Sequence, residues 1–333
     1  MKEAQYWKAI ETKDKTVRCG LCPHRCVIAE GKNGICNARR NSGGSLVSLT
    51  YNQLTSVNLD PIEKKPLYHF HPGTKILSVG SFGCNFKCPF CQNWEISQSC
   101  RDDVSTTDYD PEKITEMARL GGSVGIAYTY NEPTVNFEWV RDTAKLAKTK
   151  GLVNVLVTNG YINPQPLAEL MQCVDAANVD IKAFTDGFYR RLCGAKLSPV
   201  LDTVMAMDEC GKHVEITNLL IPGENDSSQE IERLTDWLAG LNPHIPLHFS
   251  RYFPSFDYDA EATPIESLEN AREIARGKLK YVYVGNVPDA RYSKTLCPCC
   301  SAVLIEREGY DVKLRNFESG KCVKCGNKVK IIG

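Results

Sequence analysis

An α/β fold, a partial (β/α)6 TIM-like barrel with a cysteine-rich module on either side, is predicted by two features of this 333-residue sequence. The first is alternation. Short Val-, Ile- and Leu-rich runs at 76–80, 124–130, 153–158, 179–183, 214–221 and 247–252 read as strands buried on both faces. Helical periodicities at 111–120, 135–150, 164–173, 199–210, 229–241 and 264–276 lie between and after them. The second is cysteine distribution: 11 of the 16 fall into three groups with metal-ligand spacing. These groups divide the chain into an N-terminal Cys-rich metal-binding segment at 1–72, a core domain at 73–290 and a zinc-ribbon-like module at 291–333.

The elements follow in order. The N-terminal segment combines Cys19, Cys22, Cys26 and Cys36 with Gly31, Gly34, Gly43 and Gly44 and a short β-like stretch at 45–52. In the core, Asp110-Pro111 starts a helix and Gly151 follows the end of another, matching helix start and stop chemistry.

Composition excludes several function classes. The 40 basic and 40 acidic residues cancel, so no global field favours nucleic acid or an anionic membrane. Residues 1–15 are charged and lack the apolar core of a signal peptide, and no uncharged run is long enough to span a bilayer. The expected location is cytoplasmic. In a large intracellular chain, C-x-x-C spacings point to metal rather than disulfides.

Cys84, Cys88 and Cys91, spaced C-x3-C-x2-C, come directly after the first predicted strand. Three such thiolates can hold three irons of a 4Fe–4S cluster and leave the fourth iron open. A zinc knuckle fits less well, since zinc wants four ligands and the next cysteine, Cys100, lies across a polar segment. Were Cys100 to close the cluster, the protein would be an electron carrier. Ligands of β/α barrels gather at the carboxyl ends of the strands. There the sequence places Glu132 after the second strand, Thr158-Asn159-Gly160 after the third, and Asp180 and Lys182 on one face of the fourth. On the sixth, His248 and Arg251 fall on opposite faces by alternation.

The three-cysteine loop resembles the radical SAM superfamily, in which the open iron binds S-adenosylmethionine (SAM). The resemblance implies cofactor contacts for Phe90 near the adenine, Glu132 at the methionyl ammonium, Asp180 and Lys182 toward the carboxylate and ribose, and Asn159 and His248. Glu132 alone matches the Gly-Gly-Glu segment usual there. The run from Asp60 through Phe70, then Pro72-Gly73, Cys84 to Trp94 and both outer cysteine groups, is similar to the AmmeMemoRadiSam system radical SAM family, relatives of pyruvate formate-lyase activating enzymes. That similarity implies reductive cleavage of SAM to methionine and a 5′-deoxyadenosyl radical, which takes hydrogen from a substrate. It also implies a one-electron donor such as ferredoxin or flavodoxin, and Memo-like partner proteins. A partner protein, a small molecule or a nucleic-acid base remain open as substrates.

The outer groups carry separate expectations. Cys297, Cys300, Cys322 and Cys325 form two C-x2-C pairs suited to zinc. The N-terminal quartet, C-x2-C-x3-C-x9-C, suits zinc through its C-x2-C knuckle, or a second 4Fe–4S cluster of the kind some activating enzymes carry.

Overall fold

Eight strands form one sheet in the computed structural model, which describes residues 1–11 and 14–333. They are β1 (Ser56–Pro61), β2 (Lys75–Gly80), β3 (Gly125–Tyr128), β4 (Val153–Thr158), β5 (Ala176–Asp180), β6 (His213–Leu220), β7 (Leu247–Arg251) and β8 (Val282–Gly285). Their order in space is their order in the chain. β1 runs antiparallel to β2, and β2 to β8 are all parallel. No pairing joins β1 to β8 among the described residues, so the barrel is partial.

Crossover helices make the parallel order possible. They are α1 (Pro111–Leu120), α2 (Phe137–Thr149), α3 (Pro164–Met171), α4 (Ser198–Glu209), α5 (Ser228–Leu241) and α6 (Ile265–Arg276). Asp110 caps α1 by accepting from the Lys113 amide at 2.7 Å, with Pro111 at the first helical position, where its missing N–H costs nothing. On α2, Phe137, Val140, Ala144 and Ala147 are buried one turn apart, the stripe that packs the helix on the sheet.

All six predicted strands and six predicted helices are present. The sheet goes further at both edges. β1 comes from the segment before residue 73, and β8 from Val-Tyr-Val-Gly, four residues too few to show a period. The fourth predicted strand is displaced: β5 starts at Ala176, because Ala-Ala-Asn has weak strand propensity yet is wholly buried between neighbours. Asp180 is therefore the last residue of β5, and Lys182 lies in the loop beyond it.

The N-terminal segment folds into small antiparallel sheets, one pairing Lys2–Glu3, Ser45–Ser48 and Arg39–Ser42, the other Trp7–Ala9, Val17–Cys19 and Val27–Ile28. It is fastened to α2, where Glu138 accepts from Arg39 Nη2 at 2.5 Å and from the Gln5 amide at 2.7 Å. The C-terminal module, with strands Thr295–Leu296, Val303–Glu308 and Asp311–Leu314, is fastened at the other end of the barrel. Fully buried Arg307 donates from Nη2 to the Tyr68 carbonyl at 2.7 Å, and its guanidinium lies 4.1 Å over the Tyr68 ring. Tyr68 and His69 in turn donate their amides to Glu215, near the start of β6. No helix of the described residues is long and apolar enough to cross a membrane.

Candidate active site

A cleft opens to solvent at the carboxyl ends of the strands. Its floor is the loop after β2. Gly83 takes φ +80°, the left-handed value that glycine adopts without a Cβ penalty, and starts the turn that carries Cys84, Cys88 and Cys91 into the cleft. Asn131 braces the turn, its Nδ2 donating to the Gly83 carbonyl at 2.8 Å and its Oδ1 accepting from the Ser81 amide at 3.0 Å. Burial pushes the Cys84 thiol well up, helped by the Glu132 charge, and burial also raises Cys91. The Cys88 thiol is raised chiefly by its contact with Cys193, whose Sγ is 3.7 Å away, and by burial.

The walls come from successive strand ends. Glu132 is 3 % exposed and stitches two of them together: it accepts from Thr158 Oγ1 at 2.7 Å, the Asn159 amide at 2.8 Å and the Thr134 amide at 2.9 Å. Burial raises its carboxyl above the usual range, and these donors only partly offset that. A carboxylate has about four lone-pair sites, so three donors leave room for a cation. Asn159 reaches both ways, Nδ2 donating to Asn85 Oδ1 at 2.8 Å and lying 3.8 Å from Cys84 Sγ. Asp180 Oδ2 accepts from Lys182 Nζ at 2.8 Å. Burial works against the Lys182 cation, but Asp180 and Cys88 more than offset it and raise the lysine. Thr217 Oγ1 lines the cleft, buried and without a hydrogen-bond partner among the described residues.

The structure thus brings Cys84, Cys88, Cys91, Phe90, Glu132, Asn159, Asp180 and Lys182 to one cleft. It does not bring His248 there. His248 lies on β7 one inward step below Ser250, which does line the cleft. Its Nε2 pairs with Glu215 Oε2 at 2.7 Å, and its ring stacks on Tyr283 with centroids 5.0 Å apart. Alternation selected the correct face but could not tell which layer of that face reaches the mouth. Cys100 is also outside, bonded at 2.7 Å to Asp103 Oδ2, so it does not supply a fourth thiolate.

Sequence reasoning missed Tyr130, Asn131, Thr217, Ser250, Asn286 and Cys193. Thr217 and Ser250 were accessible from strand alternation; Cys193 carries no spacing signal. Tyr130 is the most instructive. The Asn131 amide closes back on the Thr129 carbonyl at 3.0 Å, and Tyr130 between them sits at φ +72°. Glycine would be unstrained there, and it is one of the two positions where the expected Gly-Gly is absent. The tyrosine is held by its hydroxyl, 2.6 Å from Asp60 Oδ2, and by Lys65, whose Nζ lies 4.6 Å over the ring. The Asp60–Phe70 run therefore acts on the site from beneath.

The donor set suits an iron–sulfur cluster bearing an exchangeable ligand: among the described residues three cysteines line the cleft, Cys193 touches Cys88 from outside that lining, and polar groups of both charges surround the remaining space. At the C-terminus the arrangement differs. The Sγ atoms of Cys297, Cys300, Cys322 and Cys325 all lie within 4.8 Å of one another, with Cys297–Cys325 at 3.6 Å and Cys300–Cys322 at 3.7 Å. Four thiolates around one zinc would stand about 3.8 Å apart, given Zn–S near 2.3 Å, so this quartet can take a single ion.

A barrel of this topology with three cysteines after its first parallel strand defines a class, and the chain belongs to the radical SAM superfamily, whose family model matches residues 78–238. Membership implies a 4Fe–4S cluster and SAM. Among individual relatives, an uncharacterised protein of Methanocaldococcus jannaschii is 43% identical over 100% of both chains. A putative glycyl-radical enzyme activating enzyme of the same organism is 30% identical over 62% of this chain and 78% of its own. The crystal structure of a radical SAM methyltransferase from Sphaerobacter thermophilus shares the fold, with TM-score 0.51 and 18% identity over 65% of this chain and 67% of its own.

Proposed function

We propose that this chain is a radical SAM enzyme that abstracts hydrogen from a partner protein, of the Memo-like kind implied by the sequence resemblance, using one electron from a ferredoxin- or flavodoxin-class donor. Kinship with a putative activating enzyme supports a protein substrate. The observation that carries the reading is the joint placement of Cys84, Cys88, Cys91, Glu132 and the Asp180–Lys182 pair around one cleft. A 4Fe–4S cluster and SAM, when bound, supply a one-electron cleavage that yields methionine and a 5′-deoxyadenosyl radical. The chain's own contribution is binding and orientation. Cys84, Cys88 and Cys91 hold the cluster. Glu132 offers its free lone pair to the methionyl ammonium, a charge-assisted bond in a dry setting. Lys182, kept cationic by Asp180, takes the carboxylate and ribose side together with Asn159. Phe90, buried and packed 5.9 Å from Phe188, gives the adenine an apolar wall. Zinc in the C-terminal quartet belongs to the same reading.

The test is anaerobic reconstitution with iron and sulfide, reduction, addition of SAM and quantification of 5′-deoxyadenosine. Formation that is abolished in Cys88→Ala supports the enzyme. A reducible cluster that never cleaves SAM, with candidate partners present, defeats it. Transfer of deuterium from labelled partner protein into 5′-deoxyadenosine identifies the substrate; transfer only from small molecules defeats that part.

A further inference from the structure

Four aromatic side chains are exposed among the described residues, Trp94, Phe253, Phe256 and Tyr310, and three of them border the cleft. Gln92 and Asn93 line it and run directly into Trp94; Ser250 lines it and leads, past Arg251, into the loop 252–263 that carries Phe253 and Phe256. Trp94 is 40 % exposed and Phe256 48 %, although their rings stack on each other with centroids 4.9 Å apart and planes 13° from parallel. Phe256 joins the stack at φ +57°, a left-handed value that strains a bulky residue. Its neighbours hold it there: the Asp257 amide donates to the Pro89 carbonyl at 2.9 Å and Ser255 Oγ to the Cys91 carbonyl at 3.3 Å. The loop thus rests on the cluster loop and leaves the stacked pair open to solvent. Large aromatics exposed in this way anchor protein interfaces, where they bury much area at little cost in rotamer freedom.

Charge says what such a rim would receive. Residues 92–99 contain Glu95 and no basic residue, and residues 252–263 contain Asp257, Asp259 and Glu261 and no basic residue. All four carboxylates are exposed and without an ion pair among the described residues. Arg251, just before the loop, is engaged within it: Nε donates to the Thr263 carbonyl at 2.8 Å and the guanidinium lies 4.9 Å over the Phe253 ring. The chain as a whole balances 40 basic against 40 acidic residues, so this excess is local to the mouth. Unpaired carboxylates repel the phosphates of nucleic acid and of anionic lipid, and they attract lysine and arginine. Rings and carboxylates side by side therefore match a protein segment that is apolar at its centre and basic at its flanks.

We propose that Trp94 and Phe256, with the carboxylates of Glu95, Asp257, Asp259 and Glu261, dock a segment of a partner protein that carries an aromatic side chain between lysines or arginines. The rings take the aromatic side chain, the carboxylates take the basic ones, and the docked segment lies across the mouth of the cleft. That this segment belongs to the substrate rests on the function proposed above; the docking itself does not.

The probe is a capped, dye-labelled peptide with one phenylalanine between two pairs of lysines, read by fluorescence anisotropy against the full-length reconstituted chain. It should bind at least about tenfold more tightly than the same peptide with alanine for phenylalanine or with glutamate for lysine. Phe256→Ala should erase the preference for phenylalanine. Asp257→Asn/Asp259→Asn/Glu261→Gln should erase the preference for lysine and flatten the salt dependence of binding. Iron content and 5′-deoxyadenosine formation without peptide should be equal in Phe256→Ala and the natural chain, which separates lost docking from lost folding. Should Phe256→Ala lose iron, Trp94→Ala, which removes the other ring of the stack, takes its place. Equal binding of the three peptides, preferences unchanged in the variants, or tighter binding of a single-stranded oligonucleotide or a phosphatidylglycerol vesicle than of the peptide overturns the proposal. A chain that shows these preferences but never cleaves SAM would end the function proposed above and leave this surface standing.

Discussion

Tyr130 turns a corner that glycine would turn without strain, and a pair of buried charges holds it there. Asp60 accepts from Lys65 Nζ at 2.8 Å, Lys64 Nζ at 3.0 Å and the Tyr130 hydroxyl at 2.6 Å. Burial alone would raise the Asp60 carboxyl, but these donors, Lys65 foremost, hold it well below the usual carboxylate range. Because the folded value lies under the unfolded one, this stabilisation is present at neutral pH and is lost as pH falls below about 4. Asp60→Ala should cost about 3 kcal/mol, since Lys65 would be left buried and uncompensated. Urea unfolding at pH 7 measures that, and repeating it through the acid range should show a shallower decline in the variant than in the natural chain. Cys193 offers a second test. Cys88 donates toward Cys193 at 3.7 Å; with Cys88 a thiolate on a cluster, the Cys193 thiol would be the donor and make added negative charge easier to bear, so Cys193→Ala should lower the midpoint potential without loss of iron. EPR-monitored redox titration reads the shift; an unchanged or higher potential rejects the role.

Among elements, the loop after β2 matters most, because it is shared by two cysteine sites. Gly83 combines φ +80° with a hypothetical Cβ 2.3 Å from the Cys36 carbonyl, so no side chain fits without moving one site or the other. Gly83→Ala should cost about 1–3 kcal/mol from backbone strain alone, with the clash adding to it. The decisive observation is joint: thermal unfolding falls, and metal content drops at both cysteine groups rather than one. The strands differ in how far spacing reveals them. Runs dense in branched residues, as in β4 and β6, announced themselves; the edge strand β8 did not because it is too short to show a period, and the start of β5 did not because burial between neighbouring strands, not intrinsic preference, makes it a strand.

At the scale of the molecule, the two outer modules hold opposite stations. The N-terminal segment backs the cluster loop, while the C-terminal module closes the amino end of the barrel through Arg307, Tyr68 and Glu215. Arg307 has no exposed surface and reaches Glu63 Oε1 at 3.5 Å, so the docking is a buried charge contact. The module's apolar cluster is small, Leu304, Ile305 and Val329 packed with Tyr281 and Tyr283 of the barrel, and metal would add to its folding energy. Cys322→Ser should release the bound metal and expose the segment after residue 290 to proteolysis, while the core retains its iron. Metal analysis with limited proteolysis checks this; an intact module without metal would refute it.

The sequence by itself determined the alternating barrel, the three thiolates after the first parallel strand and the ligand pairs at the C-terminus. Each is written in local spacing, where one element or one loop brings the atoms together. It also put Glu132, Asn159, Asp180 and Lys182 at or just after strand ends, which the barrel brings to one cleft, while the roles expected of them came from the resemblance. Only the tertiary structure decided that His248 lies a layer too deep, that Asp60 and Lys65 support Tyr130, and that Cys193 meets Cys88. These depend on depth along a strand and on contacts between distant segments, which period and composition do not encode.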